Sequence, residues 1–176
     1  MKYIVSFIIF LISVNFGLSQ INENTRYSEE EVEVESRFVE ASRLQLLAKY
    51  DEAIKIYENL VKENQANEVV YFQLSRCYEA ISEYEKSIKF GLKSIELNPE
   101  NEFFNRQLAE AYEANNDFQK CAEVHLNYTQ YKPKDPFFYE RAVFFYLQNQ
   151  DFDAALGALN KMEKNLGYNE NITHQK

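Results

Sequence analysis

Apolar positions along the chain recur with a helical period, and the pattern itself recurs. In Y-D-E-A-I-K-I-Y-E-N-L from Tyr50, the residues Ala53, Ile54, Tyr57 and Leu60 share one helix face and charges take the other. Steps of 34 residues lead to Y-E-K-S-I-K-F-G-L-K-S from Tyr84, F-Q-K-C-A-E-V-H-L-N-Y from Phe118 and F-D-A-A-L-G-A-L-N-K-M from Phe152. Self-similarity at this spacing predicts a stacked array of like units rather than a globule with one centre.

The units are 34–67, 68–101, 102–135 and 136–169. Each divides into an aromatic-rich first helical pattern and a second one. The polar breaks between them are Ala48-Lys49, Ser82-Glu83, Asn116-Asp117 and Gln150-Asp151, each followed by an aromatic residue. Pro99 and Pro133 close the second and third units, where a residue without an N–H cannot continue a helix. Upstream, Ser28 stands three residues before Glu31, the pattern of a reciprocal helix cap, so a helix is expected to begin there. The acidic run Glu29–Glu35 suits the positive end of the helix dipole.

These residues resemble the tetratricopeptide repeat. Tyr71, Leu74, Ser75 and Tyr78 occupy the family's large, Leu, small and Tyr positions in the second unit. Leu108, Ala109 and Tyr112 do so in the third, with Asn105 in place of the large residue. In the fourth, Tyr139, Ala142 and Tyr146 match, with Val143 at the small position. The first unit departs furthest, with Arg37 and Glu40 at the large and Leu positions. The small residue of the second helix appears as Ala53, Ser87, Cys121 and Ala155, where two helices can approach closely only if no long side chain intervenes. The resemblance implies an all-α, right-handed superhelical solenoid of antiparallel helix pairs with a concave groove lined by the first helices.

Carrying the family's groove register onto this chain gives Phe38, Ser42, Gln45 and Leu46 from the first unit and Val69, Phe72, Arg76 and Glu79 from the second. The third supplies Phe103, Arg106, Glu110 and Glu113, and the fourth Phe137, Glu140, Phe144, Leu147 and Gln148. Phe72 and Phe144 are read as groove residues, whereas Phe103 and Phe137 either line the groove or pack between units. Aromatics alternating with both charge signs suit an extended or helical peptide segment. The family's carboxylate-gripping mode uses Lys and Asn; Ser42, Arg76, Glu110 and Phe144 stand at the Asn register with no Lys at the fifth position, which argues against it.

The first nineteen residues change the cellular context. Met1-Lys2, the apolar run from Tyr3 and the small residues Gly17 and Ser19 read as a secretory signal peptide cleaved before Gln20. The alternative is a retained anchor, since Tyr3–Leu18 falls only a little short of the ~17–25 residues a spanning helix needs. Residues 20–33 form a polar and acidic leader and 170–176 a tail. No other run of that length is apolar, so no membrane insertion is expected after cleavage, and the periplasm or cell envelope is the expected location. Cleavage takes away Lys2 and no acid, moving the formal charge from -9 to -10. Such a surface repels phosphate backbones and argues against nucleic acid as partner.

Candidate chemistry is sparse. Cys121 and His125 lie four apart on one helix face, but two donors do not make a zinc site, and His125 shares the register of Tyr57 and Leu159, so a packed ring is expected. His174 falls in the tail. With four glycines the chain has no phosphate loop and no nucleophile elbow. Cys77 and Cys121 fall on different units and are read as two separate buried thiols, although an oxidising compartment would permit a bond. No cofactor or metal is expected. The reading is a non-enzymatic protein-binding scaffold; the alternative is the N-terminal recognition module of a larger envelope sensor or outer-membrane assembly protein. Ala155, Leu156, Leu159, Met162 and Leu166 carry more apolar surface than one stripe hides, which suggests self-association or continuation through that edge.

Overall fold

The structure, a computed structural model, describes residues 28–167. The expected signal peptide, the leader as far as Tyr27 and residues 168–176, with His174, lie outside the described residues. The described residues divide between two compact units, parted between Arg37 and Phe38. The described residues form eight helices: α1 (Glu29–Leu46), α2 (Tyr50–Lys62), α3 (Glu68–Ala80), α4 (Tyr84–Leu97), α5 (Glu102–Ala114), α6 (Phe118–Tyr128), α7 (Pro136–Gln148) and α8 (Phe152–Leu166).

The first unit contributes the opening of α1. The Ser28 backbone N–H donates to Glu31 Oε2 at 2.7 Å and the Glu31 N–H donates to Ser28 Oγ at 3.1 Å, so each side chain satisfies a free amide of the starting helix. These bonds hold the Glu31 carboxyl below its usual range. The acidic residues Glu29–Glu33 therefore belong to α1 rather than to the leader that precedes it.

In the second unit each helix packs against the next in the chain from α2 to α8, and α3 also meets α5 directly. That is the packing of a solenoid, in which contacts run between neighbours along the array. Its first helices open on side-chain caps. Asn67 Oδ1 accepts from the Val69 and Val70 amides, Asn101 from Phe103 and Phe104, and Asp135 from Phe137, with Pro136 in the first turn where no N–H is needed.

The turns between paired helices repeat as closely as the helices. Ala48, Ser82, Asn116 and Gln150, spaced 34 apart, all adopt left-handed backbone with φ of 58°, 62°, 60° and 59°. Around the first, the Lys49 N–H donates to Leu44 O at 2.9 Å and the Ala48 N–H to Gln45 O at 3.0 Å. The same pair of bonds recurs at the other three turns, satisfying carbonyls that the helix end would leave open.

Packing follows the small-residue register. Ala53, Ser87 and Cys121 are fully buried and Ala155 nearly so. Large side chains fill the space around those close approaches. Tyr57, Leu60, Leu74, Leu108, Phe138 and Tyr139 are buried almost completely, each contributing about 1.5–3 kcal/mol by removal from water. Ala109, Cys121, Ala122, Ala142, Phe145 and Tyr146 join one cluster that ties the third pair to the fourth.

Candidate binding face

The first helices lie side by side and are linked across by polar side chains twenty-eight residues apart. The Gln107 amide Nε2 donates to Glu79 Oε2, joining α3 to α5. Arg141 Nη2 lies 3.5 Å from Glu113 Oε2, joining α5 to α7. Gln45 and Gln73, at the equivalent positions one unit earlier, line a common cleft. Burial raises the Glu79 carboxyl above its usual range while the Gln107 bond pulls the other way.

Two clefts open on this face within the second unit. The first, about 480 Å³, is lined by Ser42, Gln45, Leu46, Tyr50, Gln73, Arg76 and Ala80. The other, about 260 Å³, is lined by Arg106, Glu110, Glu113, His125, Phe137 and Arg141. Arginine planes lie over phenylalanine rings throughout: Arg76 over Phe72 at 5.7 Å, Arg106 over Phe137 at 5.7 Å and Arg141 over Phe144 at 5.4 Å. A guanidinium held on a ring is attracted by the ring's π electrons and fixed in orientation; Arg141 also pairs with Glu113, Arg106 with Glu102 at 3.9 Å, and Arg76 Nη1 donates to Gln73 Oε1 at 3.4 Å. The face thus offers apolar rings, acids and oriented bases together, which suits hydrogen bonding to a peptide backbone and its side chains.

The groove register places most of its residues here, with differences. Phe144 is 45% exposed and Phe103 72%, both open on the surface. Phe137, 40% exposed, does both of the things considered for it, since it lines the cleft and also packs edge-on against His125 and Phe138. Phe72 is half-buried with its ring 5.0 Å from Phe104, so it serves the joint between units as much as the groove. Phe38 is half-buried against Tyr57 at 5.8 Å, and Ser42 Oγ shares a 3.0 Å hydrogen bond with Tyr57 Oη. Glu140, Leu147 and Gln148 are exposed and line neither cleft. Gln73, Gln107 and Arg141 were outside the register considered, although a polar residue at the sixth place of three successive units was a visible signal.

His125 is a packed ring. It is 6% exposed, lies parallel to Phe145 at 5.9 Å and has its protonation pushed down to about 4 by burial, with Arg141 and Arg106 adding to the effect. Cys77 and Cys121 are free, buried thiols, each pushed up to about 12 by burial. Among the described residues no group of three or more His, Cys, Asp or Glu side chains is placed to hold a metal ion, and no helix is long and apolar enough to cross a membrane.

Residues 36–167 match the family profile described as "Psidin, N-terminal TPR repeats region". The chain is a tetratricopeptide-repeat protein. No curated protein matches it. Among solved structures, this tetratricopeptide-repeat chain is similar to "MamA AMB-1", with a TM-score of 0.62 at 17% identity, covering 88% of this chain and 84% of that one. It is similar also to "MamA MSR-1", with a TM-score of 0.60 at 17% identity and 79% and 80% coverage. A third, MamA from Desulfovibrio magneticus RS-1, has a TM-score of 0.58 at 14% identity, covering 81% of this chain and 78% of that one. At these identities the likeness is one of fold.

Proposed function

We propose that this tetratricopeptide-repeat chain is a non-enzymatic scaffold of the periplasm or cell envelope that holds a peptide segment or partner protein across the face of α3, α5 and α7. The observation that carries this reading is the cleft formed by Arg106, Glu110, Glu113, Phe137 and Arg141, flanked by the open Phe144 ring. Solvent-facing aromatic rings beside oriented guanidinium groups are favourable to a polypeptide that can cover the former and pair with the latter. The envelope location is supported by the signal-peptide pattern of residues 1–19.

The test is photo-crosslinking in intact cells, with a photoreactive residue in place of Leu147 beside Phe144 and the linked peptides read by mass spectrometry. One partner segment should be captured repeatedly, and Phe137→Ala with Phe144→Ala should reduce its yield tenfold or more. Unchanged capture by the double variant would move the binding surface elsewhere. Export is read separately: the mature chain should begin at Gln20, and an intact Met1 in the envelope fraction would replace cleavage with a retained anchor.

A further inference from the structure

A second-helix residue reaches the candidate binding face. His125 on α6 takes the place in its unit that Tyr57 takes in the first, but the two polar tips fare differently. Tyr57 Oη shares its 3.0 Å hydrogen bond with Ser42 Oγ, at the ninth place of the same unit. In the third unit the ninth place is Glu110, and no described residue hydrogen-bonds the His125 ring. Among the described residues no side-chain nitrogen or oxygen is both sealed from solvent and without a partner. The nitrogens of His125, a residue only 6% exposed, therefore meet the cleft that it lines with Arg106, Glu110, Glu113, Phe137 and Arg141. A polar group so far withdrawn from water gains more from a hydrogen-bonding ligand than an exposed one does.

The charges around the ring divide along the cleft. Burial holds the imidazole neutral, which leaves it one N–H to donate, and the charges that add to the effect, Arg141 and Arg106, are both positive. The acids act one turn earlier on α6. Cys121 is held protonated by burial first and then by Glu113, with Asp117 and Glu110 adding to it and Arg141 opposing. Both guanidinium groups are loosely paired: Arg141 Nη2 is 3.5 Å from Glu113 Oε2 and Arg106 Nη1 is 3.9 Å from Glu102 Oε1, against about 2.7–2.9 Å for a charge-assisted hydrogen bond. Each is fixed instead on a ring, Arg106 on Phe137 at 5.7 Å and Arg141 at 4.6 Å on Phe145, against which His125 also stacks. Two oriented cations and a neutral N–H donor meet at one end of the cleft, and the carboxylates stand toward the other.

We propose that this cleft binds the side-chain carboxylate of an aspartate or glutamate within a peptide segment, His125 donating its ring N–H to one oxygen and Arg106 and Arg141 pairing with the charge. This selectivity rests on the reading of the face as a peptide groove and adds the chemistry of what the groove selects. It differs from capture of a chain terminus, since Glu110 stands at the Asn register of that mode and repels a carboxylate there. Glu110 and Glu113 also set a limit. A second acid beside the first meets like charge, so an isolated acid next to a basic or neutral residue is preferred over an acidic run.

The full chain is offered a positional-scanning library of octapeptides, acetylated and amidated so that neither terminus is charged, and the bound fraction is read by mass spectrometry. At one position Asp or Glu should be selected at least tenfold over Asn or Gln, with a second acid disfavoured at its neighbours. His125→Phe keeps a ring against Phe145 and removes the donor, and Arg106→Gln removes one cation from a half-exposed site. Each should lower the acidic preference fivefold or more while apolar preferences elsewhere in the peptide persist. In the unaltered chain the selected peptide should shift the imidazole nitrogen signal that is absent from His125→Phe. Peptides bound with no acidic preference would overturn the proposal and leave the groove reading in place, whereas no bound peptide at all would remove both. An acidic preference that survives both substitutions, or an unmoved imidazole signal, would put the carboxylate elsewhere and likewise overturn it.

Discussion

Ser75 on α3 and Ser87 on α4 face each other in the core with hydroxyl oxygens 3.2 Å apart. Both are fully buried, and each is the other's hydrogen-bond partner. A Cβ added at Gly91 would stand 3.2 Å from Ser75 Oγ and 3.1 Å from Leu108 Cδ1. The second pair of helices therefore closes on small residues, with Leu108 of the next unit filling the space left at Gly91. The candidate binding face depends on this closeness, because the stacking of pairs sets the spacing of α3, α5 and α7 and so the width of the clefts between them.

Replacing Ser87 by Leu should cost about 1–3 kcal/mol by forcing α3 and α4 apart. Ser87→Ala should cost about 1 kcal/mol, because it strands the Ser75 hydroxyl in the core. Combining it with Ser75→Ala should cost less than the two single changes together, since no hydroxyl is then left without its partner. Urea denaturation of the four proteins in the cycle checks this, and strictly additive losses would deny the pair any coupling.

The four left-handed turn residues include no glycine. A left-handed conformation costs roughly 1–2 kcal/mol for a residue with a Cβ, less for Asn. Glycine removes that cost but gives back about 0.4–1 kcal/mol through the freedom of the unfolded chain. Ala48→Gly and Gln150→Gly should each raise stability by roughly 0.5–1 kcal/mol, seen as a higher melting temperature, and Asn116→Gly should change it little. Loss of stability in the first two would mean that the turn side chains make contacts worth more than the backbone relief.

Stacked helix pairs were legible because a 34-residue period in apolar positions has one economical physical solution, and the unit starts at 68, 102 and 136 coincide with the starts of α3, α5 and α7. The turn conformations were not legible, since Ala48 and Gln150 carry none of the usual glycine signal. Register also could not separate Phe103 from Phe137. Both occupy the same place in their units, but only Phe137 has Arg106 over its ring and His125 at its edge. Phe72, at the fifth place of its unit, and Phe144, at the ninth, also differ, as Phe104 of the next unit draws Phe72 into the joint. Periodicity locates a helix face, whereas exposure on that face depends on which side chain the next unit happens to bring.

Burial holds the Cys77 and Cys121 thiols in the protonated form, which neither reacts with disulfide reagents nor alkylates readily. At pH 8 the native chain should show essentially no fast-reacting thiol with an aromatic disulfide reagent, and two in 6 M guanidinium, where that concentration is roughly what denatures even hyperstable domains. Labelling across a denaturant series should follow loss of helicity at both sites. Rapid reaction of Cys121 under native conditions would show that the third and fourth pairs separate locally.

His125 links the core to the candidate binding face, and its titration gives stability a pH dependence of known sign. Its ring is neutral when folded, with protonation pushed down to about 4 chiefly by burial and further by Arg141 and Arg106. Unfolding restores a value near 6.5. Between these values the unfolded chain binds the extra proton, so stability from this site is fully present above pH 6.5 and falls as pH drops toward 4. The slope approaches about 1.4 kcal/mol per pH unit, to a total of roughly 3 kcal/mol. Glu110 and Glu113 line the same cleft, so the comparison must be made against a variant that keeps them. His125→Phe retains an aromatic body for Phe145 to stack on and removes the titrating group. Wild type and variant should therefore differ in the pH dependence of their urea midpoints between pH 4.5 and 7, with the variant the flatter of the two. Parallel curves would show that the imidazole takes up its proton inside the folded chain.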